Sequence, residues 1–268
     1  MNETIEKFIS ENGIDVEKIR AMSESKLQSI REINSIVERY QISGPTHTGM
    51  ISIANILGHN QMYRDRADED VFELLNHLFD ASGDGYHRRS VGMLDYSMPE
   101  LISGLQSSFS KEPMVISMIE DEKYVITYNG MHRFAVLRAA YLHELSKTNS
   151  LEQREALNKK YSIPTTITDI DYVKTYCNYM LSVCLGNQTF HLFNEYDKNH
   201  YLTDRSRVEI EGETYSLTDE ELINYTRMCL NSKLKKTTID IASSIYPSFD
   251  NFINTHFQDL KESAPSRS

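Results

Sequence analysis

The spacing of apolar residues divides the chain into differently textured stretches. Up to about Asp80 the pattern is helical. Ile19, Leu27, Ile30, Ile33 and Ile36 recur at mostly three- and four-residue steps between charged residues. Val71, Leu74, Leu75 and Leu78 mark another helical face in "DEDVFELLNHLFD". Between them "QISGPTHTG" reads as a helix-breaking stretch ahead of "MISIANILG", with "SGPTHTG" taken as a helix cap. It lacks the Gly-Lys-Ser/Thr ending of a P-loop. The glycine-rich "ASGDGYHRRSVG" closes this part.

The texture then changes. "YSMPELISGLQSSFS" opens with Ser97 and has Glu100 three residues on, the signature of a capping box. "PMVISMI", "KYVITY" and "IPTTITDI" are β-branched runs of strand length, the first two joined by a charged turn suited to a hairpin. Helices are predicted from Met131 and over "SLEQREALNKKY". After Tyr172 comes a helix to about Leu185, then the polar, aromatic stretch "NQTFHLFNEYDKNHYLTDRSR" and a short β-like pair, "RVEIEGETYSL". A second capping box, Thr218 with Glu221, opens the next helix, and helices continue to Leu260. The expectation is a mixed α/β protein with a helical extension over 1–80, a core over 81–172, a mostly helical region over 173–260 and a disordered tail over 261–268.

The densest chemistry lies where "KYVITY" meets the next helix. Asn129 and Gly130 break the strand, and His132 and Arg133 fall on the first helical turn. Glycine permits a left-handed turn and close approach of a ligand to the backbone. The first amides of a helix lack intrahelical partners, and the helix dipole favours an anion there. Arginine adds a two-pronged hydrogen bond to phosphate oxygens and histidine a further donor. The alternative is a plain Asn-Gly turn in which Arg133 pairs with a neighbouring acid.

The order of elements around "NGMHRFAVLRAA" and "IPTTITDIDY" resembles the core of the ParB/sulfiredoxin superfamily. Gly130, His132, Arg133, Ala135 and the Ile163-Pro164 pair carry the likeness, which spans about 88–172. It implies a small mixed sheet surrounded by helices from both ends, and a nucleotide-phosphate site formed by Asn129, Gly130, Met131, His132 and Arg133. ATP or ADP is the implied ligand, with CTP the third nucleotide that members take. Departures from the pattern narrow the chemistry. Met131 stands where sulfiredoxins carry their cysteine, which excludes sulfinic-acid reduction by that nucleophile. Asn129 replaces the acid of the free-serine kinases and cannot act as a base. No convincing helix-turn-helix follows Tyr172.

In the superfamily the segment some 40 residues ahead of this turn borders the nucleotide. Arg88 and Arg89 are therefore expected to help clamp phosphates, and Asp84 or Asp95 to serve as base or metal ligand, with His132 as a third catalytic candidate. An exposed charged turn is the competing reading, and Asp95 also suits helix entry. His191, Glu195, Asp197 and His200 form a weak metal candidate against a plain surface loop, and Arg205 with Arg207 would reach a phosphate or a carboxylate.

Charge and composition fit this picture. Lys plus Arg total 28 and Asp plus Glu 39, a net charge of -11, which disfavours nucleic-acid backbones as partners. Three cysteines, Cys177, Cys184 and Cys229, match no zinc pattern and suit a reduced compartment. With no basic-apolar leader and no apolar run near roughly 18 residues, the expectation is a cytoplasmic protein away from membranes. The reading is an ATP- or ADP-dependent, Mg²⁺-requiring phosphotransferase or nucleotidase with an unidentified small-molecule acceptor. The alternative is a nucleotide-gated regulator of transcription or DNA partition.

Overall fold

The computed structural model describes residues 1–59, 70–79, 92–120, 123–185, 190–210, 212–233 and 246–258. Contacts divide the chain into two units, Met1–Ile33 with Thr46–Thr168, and Asn34–Pro45 with Asp169–Ser268. The protein is mixed α/β, as its pattern predicts.

The first unit begins with α1 (Glu3–Glu11), α2 (Val16–Arg20) and α3 (Ile30–Ile33). Its sheet has five strands: β1 (Ser43–Ser52), β2 (Ile56–His59), β3 (Met114–Glu120), β4 (Lys123–Tyr128) and β5 (Ser162–Ile170). Their order is β1-β5-β3-β4-β2. β3 and β4 form the expected antiparallel hairpin, closing at Glu120 opposite Lys123. β2 runs parallel to β4, and β3 parallel to β5. The carboxyl ends of β2 and β4 therefore point to the same edge of the sheet.

α5 (Val71–Leu78), α6 (Met98–Lys111), α7 (Met131–Leu145) and α8 (Leu151–Lys160) flank this sheet. The capping box at Ser97 and Glu100 is formed, as is a second at Asp70 and Glu73. α7 is the central element. His132 through His143, and Leu145, are all buried, so this helix has no solvent face along most of its length. Phe134, Val136, Leu137 and Tyr141 join Phe72, Leu75, Phe109, Ile116 and Ile126 in one apolar core.

Residues 43–59, expected as a helix cap followed by a helical segment, are instead β1, a 3-10 turn (Ile53–Asn55) and β2. Gly44, Pro45 and Gly49 give β1 a weak strand signature. Its place at the sheet edge explains the choice, because an edge strand tolerates proline. A second reason is the partner: the Thr165 hydroxyl donates to the Gly49 carbonyl at 3.1 Å. β2 is held by a close backbone approach. The Gln28 amide donates to the Leu57 carbonyl at 2.8 Å, and a Cβ on Gly58 would overlap the Gln28 carbonyl oxygen.

The second unit contains α4 (Ser35–Tyr40), α9 (Tyr172–Leu185), α10 (Asp219–Lys233) and α11 (Pro247–His256). It also holds an antiparallel sheet of β6 (Phe190–Tyr196), β7 (Leu202–Ile210) and β8 (Glu213–Thr218), in that order. This sheet corrects the expectation that "NQTFHLFNEYDKNHYLTD" is a loop and adds a strand to the expected pair over "RVEIEGETYSL"; most described residues of 173–260 are helical, as expected. Phe190, Leu192 and Val208 alternate inward and meet Tyr176, Phe249 and Phe252 in a core of their own. The polar residues between them form the opposite face, which is why the stretch reads as loop. The Thr218–Glu221 capping box is formed at the start of α10.

Candidate active site

β4 delivers the chain to α7 through two residues of positive φ, Asn129 at 46° and Gly130 at 101°. Gly130 is the N-cap of α7, and its carbonyl accepts from the Phe134 amide at 2.8 Å. The glycine is needed twice over. Its φ lies where a Cβ strains the backbone, and an added Cβ would sit 3.1 Å from the Met114 side chain. α1, α2, α4, α5 and α8 begin with a side chain accepting from their first-turn amides; Gly130 offers none to α7.

The side chains of the turn point inward. Arg133 is 7 % exposed. Its guanidinium donates to the Ser108 hydroxyl at 3.1 Å, the Glu112 carbonyl at 2.9 Å and the Asn129 side-chain oxygen at 3.3 Å, and lies 4.4 Å from the Phe109 ring centre. Asn129 returns the connection by donating to the Glu112 carboxylate at 3.0 Å. Arg133, Asn129 and Glu112 thus close a ring that ties the last turn of α6 to the first turn of α7. The amide at position 129 both accepts from the arginine and donates to the glutamate; an aspartate would face Glu112 as a like charge.

His132 is buried as well. Its Nε2–H donates to the Leu78 carbonyl at 3.1 Å, at the end of α5, and its ring meets Phe79 edge-on at 5.4 Å. The two polar residues of its first turn therefore brace the helix start against α5 and α6. What this leaves at the junction is a rigid helix N-terminus whose leading amides, Met131, His132 and Arg133, are oriented by the helix geometry. Met131 is partly exposed beside them.

The other predicted residues lie elsewhere or outside the described residues. Asp84, Arg88 and Arg89 belong to the latter group. Asp95 ends a 3-10 turn (Gly92–Asp95), is exposed, and faces Lys7 at 3.7 Å. His191 stands on β6 against Phe193, whereas Asp197 shapes the β6–β7 turn by accepting from the Asn199 and Tyr201 amides. Arg205 and Arg207 face carboxylates, Glu221 at 3.8 Å and Glu209 at 3.5 Å. Among the described residues no group of three or more His, Cys, Asp or Glu could hold a metal ion.

Four residues not singled out in the sequence matter to this edge and helix. Ser108 and Glu112 hold Arg133. His59 ends β2, opposite Ile126 of β4, and burial pulls its imidazole down to about 4, so it is neutral near pH 7. An apolar run ending in histidine, "ISIANILGH", was the available signal. Further along α7, Arg138 is 2 % exposed and donates to the Ile53 carbonyl at 2.7 Å and the Glu24 carbonyl at 2.8 Å. Burial lowers its guanidinium to about 10, still charged at neutral pH.

Comparisons with models of protein families, with curated proteins and with solved structures find no match to this chain, so the site stands on its own geometry.

Proposed function

We propose that the chain binds the phosphate groups of a nucleotide at the Asn129–Gly130–α7 junction and transfers phosphoryl from it to a small molecule. The observation that carries this reading is the start of α7. A fifteen-residue buried helix begins at a left-handed glycine with no side-chain cap, directly after a strand, on the edge where β2 and β4 both end. Helix amides and a dipole worth about 0.5 charge favour an anion at such a point. The carboxyl edge of parallel strands is also where ligands of open α/β sheets are held.

The braced geometry supports the same reading. Because Arg133 is anchored to Ser108, Glu112 and Asn129, its positive charge is fixed under the turn rather than carried on a mobile arm. An anion there needs little reorganisation, which is the condition for electrostatic stabilisation of a transferring group. Met131 to Arg133 would supply backbone donors, and the ATP or ADP phosphates would be the partner. Mg²⁺ would supply charge neutralisation to such a transfer; Asp95, which faces Lys7 away from the junction, does not serve it, and Asp84 remains the candidate ligand outside the described residues. His59 and His132, both buried at this end of the unit, are candidates to position an acceptor.

The test of transfer is direct. Protein incubated with ATP, Mg²⁺ and pools of hydroxyl- and amine-bearing metabolites is followed by ³¹P NMR. A new phosphoester or phosphoramidate signal, or inorganic phosphate formed at a rate that scales with protein, supports the reading. Absence of both, together with binding to duplex DNA whose strength falls steeply with salt, would replace the enzyme by a regulator.

A further inference from the structure

We propose that β8 is a dimerisation strand, which pairs antiparallel with β8 of a second copy to join two three-stranded sheets into one of six. β8 is an outer strand of its sheet, and Glu213, Thr214, Tyr215 and Ser216 are exposed. Natural sheets protect such edges with prolines, lysines, bulges or short length. β8 contains no proline and no lysine, and its six pairs with β7 run from Ile210–Glu213 to Arg205–Thr218 without an irregularity.

The direction of its backbone groups follows from the hairpin. Two residues separate Ile210 from Glu213, so that pair closes the loop and the hydrogen-bonded pairs alternate from it. Glu213, Tyr215 and Leu217 turn their amides and carbonyls to β7, while Thr214, Ser216 and Thr218 turn theirs outward. Two contacts agree with this assignment. The Thr218 amide donates to the Glu221 carboxylate at 2.8 Å, and the Ser216 carbonyl accepts from Arg205 at 2.7 Å. The first closes the carboxyl end of the strand, and the second sits on the carbonyl that pairing with a second copy also uses. The Ser216 carbonyl keeps a second lone pair, and Thr214 sits at the unguarded end.

A second copy is the occupant that the sequence of this strand fits. A two-fold axis at Tyr215 sets Thr214 against Ser216 of the other copy, with both amide–carbonyl exchanges made from outward-facing groups. Tyr215 then meets its own counterpart in the close, non-bonded type of pair, where aromatic residues add to sheet stability. The one charged residue of the strand, Glu213, falls opposite Leu217 rather than another carboxylate. On the outer face, the row carrying Arg207 continues into the row carrying Glu209 of the other copy, of opposite sign.

The experiment is sedimentation of the full chain from about 1 to 100 µM, with two variants. The wild type is expected to shift toward twice its 31.0 kDa mass as concentration rises. Thr214→Pro, which removes an outward amide at an edge position where proline is tolerated, is expected to stay monomeric and to melt with the wild type at dilutions where the wild type is itself monomeric. Tyr215→Cys is expected to give a disulfide-linked dimer under mild oxidant well above the wild-type background, since the paired Cα atoms would stand about 4.5 Å apart. A wild type that remains monomeric throughout, a Thr214→Pro variant that dimerises equally well, or a Tyr215→Cys variant no more cross-linked than wild type would each overturn the proposal.

Discussion

Replacing Arg133 by alanine separates a bracing residue from one that waits for a ligand. Among the described residues the guanidinium donates to Ser108, Glu112 and Asn129, and it stacks over Phe109. Hydrogen bonds from a charged donor contribute about 1.5–3 kcal/mol each, and a desolvated cation–π contact about 2 kcal/mol. These do not add, and Ser108 and Glu112 are open enough for water to replace part of what is lost. A loss of about 3 kcal/mol is therefore expected in the absence of any ligand. For a protein of this size each kcal/mol moves the midpoint by about 2–4 °C, so the melting temperature should fall by about 6–12 °C. Lysine at 133 keeps the charge but not the fork, and should fall between the two. The assay is thermal unfolding by circular dichroism in ligand-free buffer. An alanine variant that melts with the wild type would refute the bracing argument and return Arg133 to the role of a ligand-seeking side chain.

Three further outcomes follow from named positions. Gly130→Ala should lower stability by about 2 kcal/mol, from the left-handed backbone and the Met114 contact, and urea unfolding would show it as a lower midpoint at unchanged slope. Gly58→Ala drives a Cβ into the Gln28 carbonyl and should cost at least about 3 kcal/mol; soluble, wild-type-like unfolding would contradict the close approach of that backbone. His59 titrates at about 4 when folded, against about 6.5 in a free chain. Its contribution is fully present above pH 6.5 and is lost as pH falls toward 4, because only the unfolded state takes up the proton. The loss approaches about 3 kcal/mol, and His59→Asn should flatten the stability profile between those pH values.

How much of this was legible in the sequence varied with the physics of each element. The hairpin and α7 could be read because β-branched runs, an Asn-Gly break and a long apolar helix all point one way. The capping boxes at Ser97 and Thr218 were legible because their chemistry is local. β1 was not, since Gly44, Pro45 and Gly49 have no strand preference and only its place beside β5 makes the segment extended. β6 and the first half of β7 were hidden, because Phe193 on the outer face blurs the alternation set by Phe190 and Leu192 and a polar run follows, whereas the second half of β7 was read with β8 as a β pair. At the junction the residue types were legible but not their direction. A helix buried on every side leaves no room for solvated charge, so Arg133 and Arg138 turn inward to backbone carbonyls. Their partners, Glu112, Ile53 and Glu24, are remote in sequence and only the fold supplies them.

The central claim is that the start of α7 holds nucleotide phosphate. The most direct test is thermal unfolding of wild type and Met131→Glu with ATP, ADP, CTP and GTP, with and without Mg²⁺. Glutamate on the first turn suits the helix dipole but repels a bound phosphate. A nucleotide at 100 times its dissociation constant should stabilise the wild type by roughly 2.7 kcal/mol and leave Met131→Glu unmoved. Equal stabilisation of both proteins would place the nucleotide elsewhere, and no stabilisation of either by any nucleotide would contradict the account.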